Sequence, residues 1–531
     1  MLNTPRSCRG MVTSPHHLAS QAGLDILKAG GTAIEAAVAT AAALAVVYPH
    51  MTGIGGDAFW LTLWPDGRAQ SIDASGAAAM KADVAFYRNA GQARIPWRGP
   101  LAANTVAGTV SGWDMALGWS HAVQPGLPLG RILRDAIHYA EQGVPVTAGA
   151  ADITRAKVDE LRAVPGFADQ FMPAGRLPQV GDILHNPRLA RTLRMLVDDG
   201  LDSFYRGRIA SDLAADLASL GSPLALSDLQ AHRAVHQPAL HARVRGADLY
   251  NVAPPTQGVA SLLILAVFDR LRAAKADSYE YMHTLVEATK LAFRYRDTHV
   301  GDPALMTVQA QDILDDAGAL DRMAAVIDPQ RAAPWPHPSQ AGDTVWLGVV
   351  DSDGLAVSMI QSLYFEYGSG VVLPRTGVVW QNRGTSFGMD PDGWNGLRPG
   401  RKPFHTLNPA GARFDDGRTM VYGTMGGEGQ PQTQAAVFTR YAYYGVPLQR
   451  AVTAPRWLLG RTWGEDSVSL KYEDRFDPEL IARMQAAGHQ MERMEPFTST
   501  MGHAGALVRH EKTGLIEGAT DPRSDGAVAA W

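Results

Sequence analysis

Thr344 follows Gly342-Asp343 and precedes an apolar run, and a threonine so placed carries a particular chemical possibility. Its hydroxyl is a weak nucleophile at neutral pH and needs a base within hydrogen-bond reach. If the Asp343–Thr344 bond breaks, the new α-amine, with a pKa of roughly 7.7–8.0, supplies that base on the same residue. The uncut chain could make the break itself: the hydroxyl attacks the carbonyl of Asp343, the amide becomes an ester, and water opens the ester. By local pattern alone, Gly-Asp-Thr is also an ordinary turn before a strand, so other parts of the chain must carry the case.

Competing chemistries find less support. Among 16 histidines, His232 and His236 have i,i+4 spacing, but no glutamate lies between them and Pro238 would end a helix at once, so no metal is expected. Met425-Gly426-Gly427-Glu428-Gly429 could be a simple turn; it lacks the full phosphate-loop pattern and its lysine, so no nucleotide or other cofactor is expected. A net charge of −5 over 531 residues leaves no basic footprint for nucleic acid. The single Cys8 excludes an internal disulfide framework and fits a reducing, cytoplasmic setting. No apolar stretch follows the first ten residues, so no secretory signal is expected, and the Ala-rich run 36–47 is too short to span a bilayer.

The elements around Thr344 read as layers. Helices are predicted over 14–29 and 32–47, separated by Gly30-Gly31. After the glycine loop 52–57, segments 58–64 and 69–72 flank Pro65-Asp66-Gly67-Arg68 as a hairpin. The stretch 114–330 reads as mainly helical, with its clearest helix over 279–295. Residues 331–342, with Pro334, Pro336 and Pro338, read as an extended exposed linker delivering the chain to Thr344. Beyond it, 345–350 and 355–363 form a second hairpin, apolar on both faces and so expected inside a sandwich.

The stretch from Thr344 to Ser358 resembles the start of the small subunit in the γ-glutamyltranspeptidase family. The resemblance continues through Gly368-Ser369-Gly370, Gln381-Asn382, Gly423-Thr424-Met425-Gly426-Gly427 and Asp521-Pro522-Arg523-Ser524. Upstream it takes in Gly53-Ile54-Gly55-Gly56-Asp57, Pro254-Pro255-Thr256-Gln257-Gly258 and the run from Leu285 to Phe293, including Glu287 and Lys290, so that nearly the whole chain is covered. It implies an α/β fold of the N-terminal nucleophile type, a four-layer αββα sandwich of two stacked, mainly antiparallel sheets between helical layers. It further implies self-cleavage into a large subunit, 1–343, and a small one, 344–531, which remain one heterodimeric unit that could dimerise further. Thr344 falls on the family's nucleophile, Ser362 on a hydroxyl that orients it, and the N–H groups of Gly426 and Gly427 on the oxyanion hole.

The substrate contacts depart from the family pattern. Where members acting on γ-glutamyl compounds have asparagine, glutamine, aspartate and a serine pair, this chain has Tyr364, Arg383, Ser386 and His405-Thr406; Ser75 stands where a loose alignment puts their carboxylate-binding arginine. Losing the aspartate removes a partner for an ammonium group, while Arg383 and His405 add donors for an anion. Tyr364, Phe365, Tyr367 and Trp380 suggest a small cavity. The pattern looks like the oxamate amidohydrolase branch, whose reaction would yield oxalate and ammonia in purine-derived nitrogen recovery. A γ-glutamyltransferase or glutathione hydrolase, a bulky-side-chain acylase and an unprocessed binding homologue are the alternatives. Asp57, Glu287 and Asp302 stand in or near matched motifs but read equally well as caps or structural partners.

Overall fold

The computed structural model describes residues 3–271, 273–335, 343–460 and 467–531. Two seven-stranded antiparallel sheets dominate it. The first runs, edge to edge, through Ala527–Ala530, Gly10–Ser14, Asp343–Asp351, Ala356–Tyr364, Asp57–Leu63, Ala69–Ala74 and Val235–Pro238. Of these, Asp57–Leu63 is labelled β1, Asp343–Asp351 β2 and Ala356–Tyr364 β3. The second sheet runs through Arg6–Ser7, Ile516–Thr520, Ala504–His510, Arg418–Thr424, Ala410–Phe414, Ala247–Asn251 and Leu240–Val244.

Three cores define the layers. Phe59, Leu61, Trp346, Ile360, Val421 and Leu507 meet between the sheets. Trp60, Ile72, Leu347 and Met359 face the other way, onto α1 (Ala33–Val47). Behind the second sheet, Leu249, Ala412, Tyr422 and Val508 pack with α2 (Tyr279–His299) and α3 (Gly429–Ala442). Alternation along a strand sends Phe59 and Trp60 to opposite faces, and covering both faces makes the strands apolar throughout. The result is helix, sheet, sheet, helix, the αββα order that the resemblance implies.

The helix in contact with the nucleophile-bearing sheet is built to be buried on every side. All of α1 is buried, and Thr32 and Glu35 form a reciprocal cap at its start, with Thr32 N–H donating to Glu35 Oε2 at 2.8 Å and Glu35 N–H to Thr32 Oγ1 at 3.2 Å. On the opposite face of β2, Trp346 is slotted between glycines. A Cβ on Gly423 would lie 2.2 Å from its ring and one on Gly505 2.4 Å, and its indole N–H donates to Ser358 Oγ at 2.9 Å. This peg fixes how far β2 can slide over the second sheet.

Some expectations need correction. The middle of the chain is mainly helical, as expected, but Val235–Pro238, Leu240–Val244 and Ala247–Asn251 are strands, not anticipated, that finish both sheets. His232 caps the helix Leu226–Ala231 while His236 lies in a strand, so the pair shares no helix face. Residues 331–335 are irregular but partly buried and held by hydrogen bonds; 336–342 lie outside the described residues. No described helix is long and apolar enough to cross a membrane. At the edge of the first sheet Arg9 N–H donates to Trp531 O and Trp531 N–H to Gly10 O, each at 3.1 Å.

Candidate active site

Thr344 opens β2 at an irregularity in the ladder: Asp343 is opposite Tyr364 and Val345 opposite Gln361, so the pairing slips between them. Such a bulge re-aims a side chain. Thr344 Oγ1 donates to Ser362 Oγ at 3.1 Å, and Ser362 Oγ accepts the Tyr364 N–H at 2.8 Å; both hydroxyls are buried. The side chain of Asp343 lies outside the described positions.

Tyr364 ends β3 with φ +82°, a left-handed conformation uncommon for a bulky residue. Its ring stacks on Phe365, with centroids 4.5 Å apart, and lies 3.8 Å beneath Arg383 Cζ. Arg383, 2% exposed, donates through Nη2 to the carbonyl of Phe404, while its Nε and Nη1 have no hydrogen-bond partner among the described residues. Burial pulls this guanidinium below its ordinary range, and the nearby Tyr364 and Asp57 act against that pull.

Asp57 stands opposite Ser362 across the β1–β3 ladder, on the same sheet face. Its Oδ1 accepts N–H groups from Gly76 at 3.0 Å, Gly108 at 3.1 Å and the Gln381 side chain at 3.1 Å. Burial raises its carboxyl to about 7 despite these bonds. Asp57 Oδ2 approaches His405 Nε2 at 3.3 Å without hydrogen-bond alignment. The contact is not an ion pair, because burial, with Arg383 and Lys402 nearby, holds His405 neutral. The Thr406 hydroxyl is buried and has no partner among the described residues.

Gly426 and Gly427 have φ +110° and +50°, conformations for which glycine is the natural choice. The Gly426 carbonyl accepts Gly429 N–H at 2.7 Å, and in a planar trans peptide this fixes the direction of the Gly427 N–H. Gln257 Nε2 donates to both Gly427 O and Thr406 O at 2.8 Å. Arg296, fully buried on α2, donates to Gln257 Oε1 and Glu428 Oε1, each at 2.8 Å. A series of contacts therefore runs from Thr344 through Ser362, Asp57, His405-Thr406 and Gln257 to Gly427.

Not every expected residue joins this group. Tyr367 packs with Phe167 and Phe171 and bonds Thr154 at 2.6 Å, and Trp380 donates to Thr105 O at 3.1 Å, so both belong to the surrounding core. Ser75 turns to Asp73 at 2.5 Å, and the Ser386 carbonyl accepts the Asn395 amide at 2.8 Å. In the other direction, Gln257, Arg296 and Glu428 have a structural hold on the glycine loop that no role assigned from sequence anticipated. The available signals were the Pro-Pro-Thr-Gln-Gly run for Gln257 and the glycine motif itself for Glu428.

The family model for gamma-glutamyltranspeptidase matches residues 19–531. The chain belongs to the gamma-glutamyltranspeptidase family. Within it, the chain is 57% identical to an oxamate amidohydrolase proenzyme of Klebsiella pneumoniae, over 99% of each chain. It is 39% identical to a glutathione hydrolase-like proenzyme of Bacillus subtilis, over 98% of each. Among solved structures, a cephalosporin acylase from Bacillus halodurans superposes with a TM-score of 0.91 at 34% identity, over 100% of this chain and 97% of that one. The chain is thus a gamma-glutamyltranspeptidase-family hydrolase, and its two-sheet architecture is that of the family's acylases.

Proposed function

We propose that the chain cuts itself between Asp343 and Thr344 and that the resulting two-fragment enzyme hydrolyses a small acidic amide, with oxamate the best fit. The supporting observation is the hydrogen bond from Thr344 Oγ1 to Ser362, which also accepts the Tyr364 N–H, together with a buried Arg383 that lies over the Tyr364 ring and retains two unused donors among the described residues. In maturation, Thr344 Oγ bonds to the Asp343 carbonyl carbon, its proton passes to the departing nitrogen, and water hydrolyses the ester to leave 1–343 and 344–531 associated. In turnover, the new α-amine takes the hydroxyl proton as Oγ attacks the substrate amide. The N–H groups at Gly426 and Gly427 receive the oxyanion, ammonia leaves with the returned proton, and water releases oxalate. Arg383 holds the substrate carboxylate, with His405 and Thr406 beside it and the Tyr364 ring closing one wall. The lone, exposed Cys8 fits work in a reducing cytoplasm.

The name of the 57% identical relative supports oxamate over a γ-glutamyl donor. The test compares ammonia release from oxamate with amine release from a γ-glutamyl anilide, using wild type and Thr344→Ala. Oxamate turnover by a sample divided at 343/344, with the variant intact and inactive, is the expected result. Turnover of the anilide alone would replace the substrate assignment, and a wild-type chain that stays whole would favour a binding role.

A further inference from the structure

Asp57 stands across the ladder from Ser362, yet the proposed chemistry gives it no task. Its Oδ1 is saturated by three donors, Gly76 N–H, Gly108 N–H and the Gln381 amide. Those donors are fixed in place. A Cβ on Gly76 would lie 1.7 Å from Val106 O and one on Gly108 2.2 Å from Ala74 O, so glycine is what lets these segments cross so closely, and Gln381 Nε2 also donates to Val106 O at 2.8 Å. Oδ2 has no hydrogen-bond partner among the described residues, and His405 Nε2 lies 3.3 Å from it.

His405 is held as firmly. Its N–H donates to Pro255 O at 2.9 Å, its carbonyl accepts Gln257 N–H at 3.0 Å, and its ring stands edge-on to Phe59 with centroids 5.0 Å apart. The ring is buried, and both its nitrogens lack a hydrogen-bond partner among the described residues. A neutral imidazole has one N–H and one lone pair, so what one nitrogen does decides what the other offers. With Oδ1 fully accepting, a proton on Asp57 sits on Oδ2 and is given to the Nε2 lone pair, which leaves hydrogen on Nδ1. With Asp57 ionised, Nε2 carries the hydrogen and Nδ1 offers a lone pair. The 3.3 Å contact is one tilt of the ring from either hydrogen bond. Arg383, bonded to the carbonyl of Phe404 just before this ring, has two unused donors of its own among the described residues. An Nδ1 hydrogen adds to them as a partner for a carboxylate, whereas a lone pair and a new negative charge oppose one.

We infer that Asp57 is a positioning residue for substrate specificity: protonated, it makes His405 Nδ1 a donor and readies the Arg383 pocket for a carboxylate, and ionised it weakens the pocket's hold on acids. The inference rests on the reading of Arg383 and His405 as the carboxylate site. Burial raises Asp57 to about 7, so its two states exchange near neutral pH. A carboxylate that binds above that pH therefore brings in a proton from solvent, which goes to Asp57 Oδ2. The other ionisable groups around the pair are Arg383, Lys402 tied to Asp73 at 2.7 Å, Tyr205, His232 beyond Gly108 and, through Ser362, the α-amine that cutting gives Thr344. Burial keeps Tyr205 and His232 neutral around pH 7. The amine titrates at roughly 7.7–8.0 whatever stands at position 57, so a substitution there isolates the share of Asp57.

The test measures binding of oxalate to purified wild type and Asp57→Asn by calorimetry, since asparagine offers N–H to His405 Nε2 at every pH. Between about pH 6.5 and about pH 8.5 the oxalate Kd should rise on the order of tenfold more in wild type than in the variant. Near pH 7.5, buffers of different ionisation enthalpy should show wild type taking up more protons per oxalate than Asp57→Asn. Histidine nitrogen NMR on ligand-free wild type reads the tautomer directly, with His405 assigned by loss of its signals in His405→Gln; hydrogen should move from Nδ1 to Nε2 across the same range. Equal pH profiles and equal proton uptake in the two proteins, or a His405 tautomer that does not change with pH, would overturn the inference; if Asp57→Asn does not fold, the tautomer decides. Absence of saturable oxalate binding at either pH would instead defeat the small-acid reading, with the tautomer in the ligand-free protein still deciding the role of Asp57.

Discussion

Arg383 is buried, charged and only partly satisfied, so it should respond sharply to loss of its charge. A hydrogen bond to a charged group is worth about 1.5–3 kcal/mol, and each 1.36 kcal/mol is tenfold. On the proposed reading, Arg383→Met should therefore raise KM for oxamate at least about tenfold while self-cleavage proceeds, and initial-rate kinetics on the processed enzyme is the check. Gln257→Leu should act differently, lowering kcat roughly tenfold or more with little change in KM, because it frees the Gly427 carbonyl and with it the loop proposed to receive the oxyanion. An unchanged kcat would remove Gln257 from the positioning of that loop. That Thr344 and Ser362 would lie together was anticipated through the family resemblance, and the hydrogen bond between them agrees with it. The parts played by Gln257, Arg296 and Asp57 were not legible, because a donor's task depends on which carbonyl or carboxylate is brought to it from hundreds of residues away. Tyr367 and Trp380 misled in the opposite sense: aromatic type near a motif does not say which space a ring faces, and Trp380 is sealed in the core while Tyr367 lines a cavity with Val47, Phe171 and Val379 and not with Thr344.

Hairpins on either side of tight turns could be read directly, since both β1 with its partner and β2 with β3 alternate or saturate in apolar residues over short, well-punctuated spans. The strands from Val235 to Asn251 escaped because they are short, carry polar side chains at an edge, and lie between helices. Their pairing is specified by distant partners, Gln70 to Asp73 for the first and Ala410 to Phe414 for the last. At this scale the Trp346 slot makes a clear demand. Gly423→Ala would push a methyl into the indole, and overpacking of this kind costs about 1–3 kcal/mol. In a Thr344→Ala background the variant should melt about one to three degrees lower, and in the native background its self-cleavage should slow as β2 shifts. An unaltered melting temperature would mean that the slot is looser than its contacts indicate.

Across the whole molecule, burial of imidazoles sets the response to acid. Burial lowers His16, His50, His232 and His489 to about 3 and His503 to about 4, and drives His405 down as well. Unfolded histidine titrates near 6.5, so below that pH the unfolded chain binds protons that the folded one refuses, and stability falls as pH drops from about 6.5 toward 4. Asp57, raised to about 7, and Asp351, raised to about 6, act with the opposite sign, since the folded state binds their protons first. The imidazoles outnumber them, so melting temperature should decline steadily on acidification, and Asp57→Asn should make the decline steeper; a flat profile between pH 7 and pH 5 would contradict this. The meeting of Arg9 and Trp531 at the edge of the first sheet carries a different consequence. A gene rearranged to begin at codon 344, run to 531, cross a short bridge and finish at 343 would ask for the same strand order. Under the proposed mechanism, and once its initiator methionine was trimmed, such a permuted protein would carry the Thr344 amine from birth and need no self-cleavage.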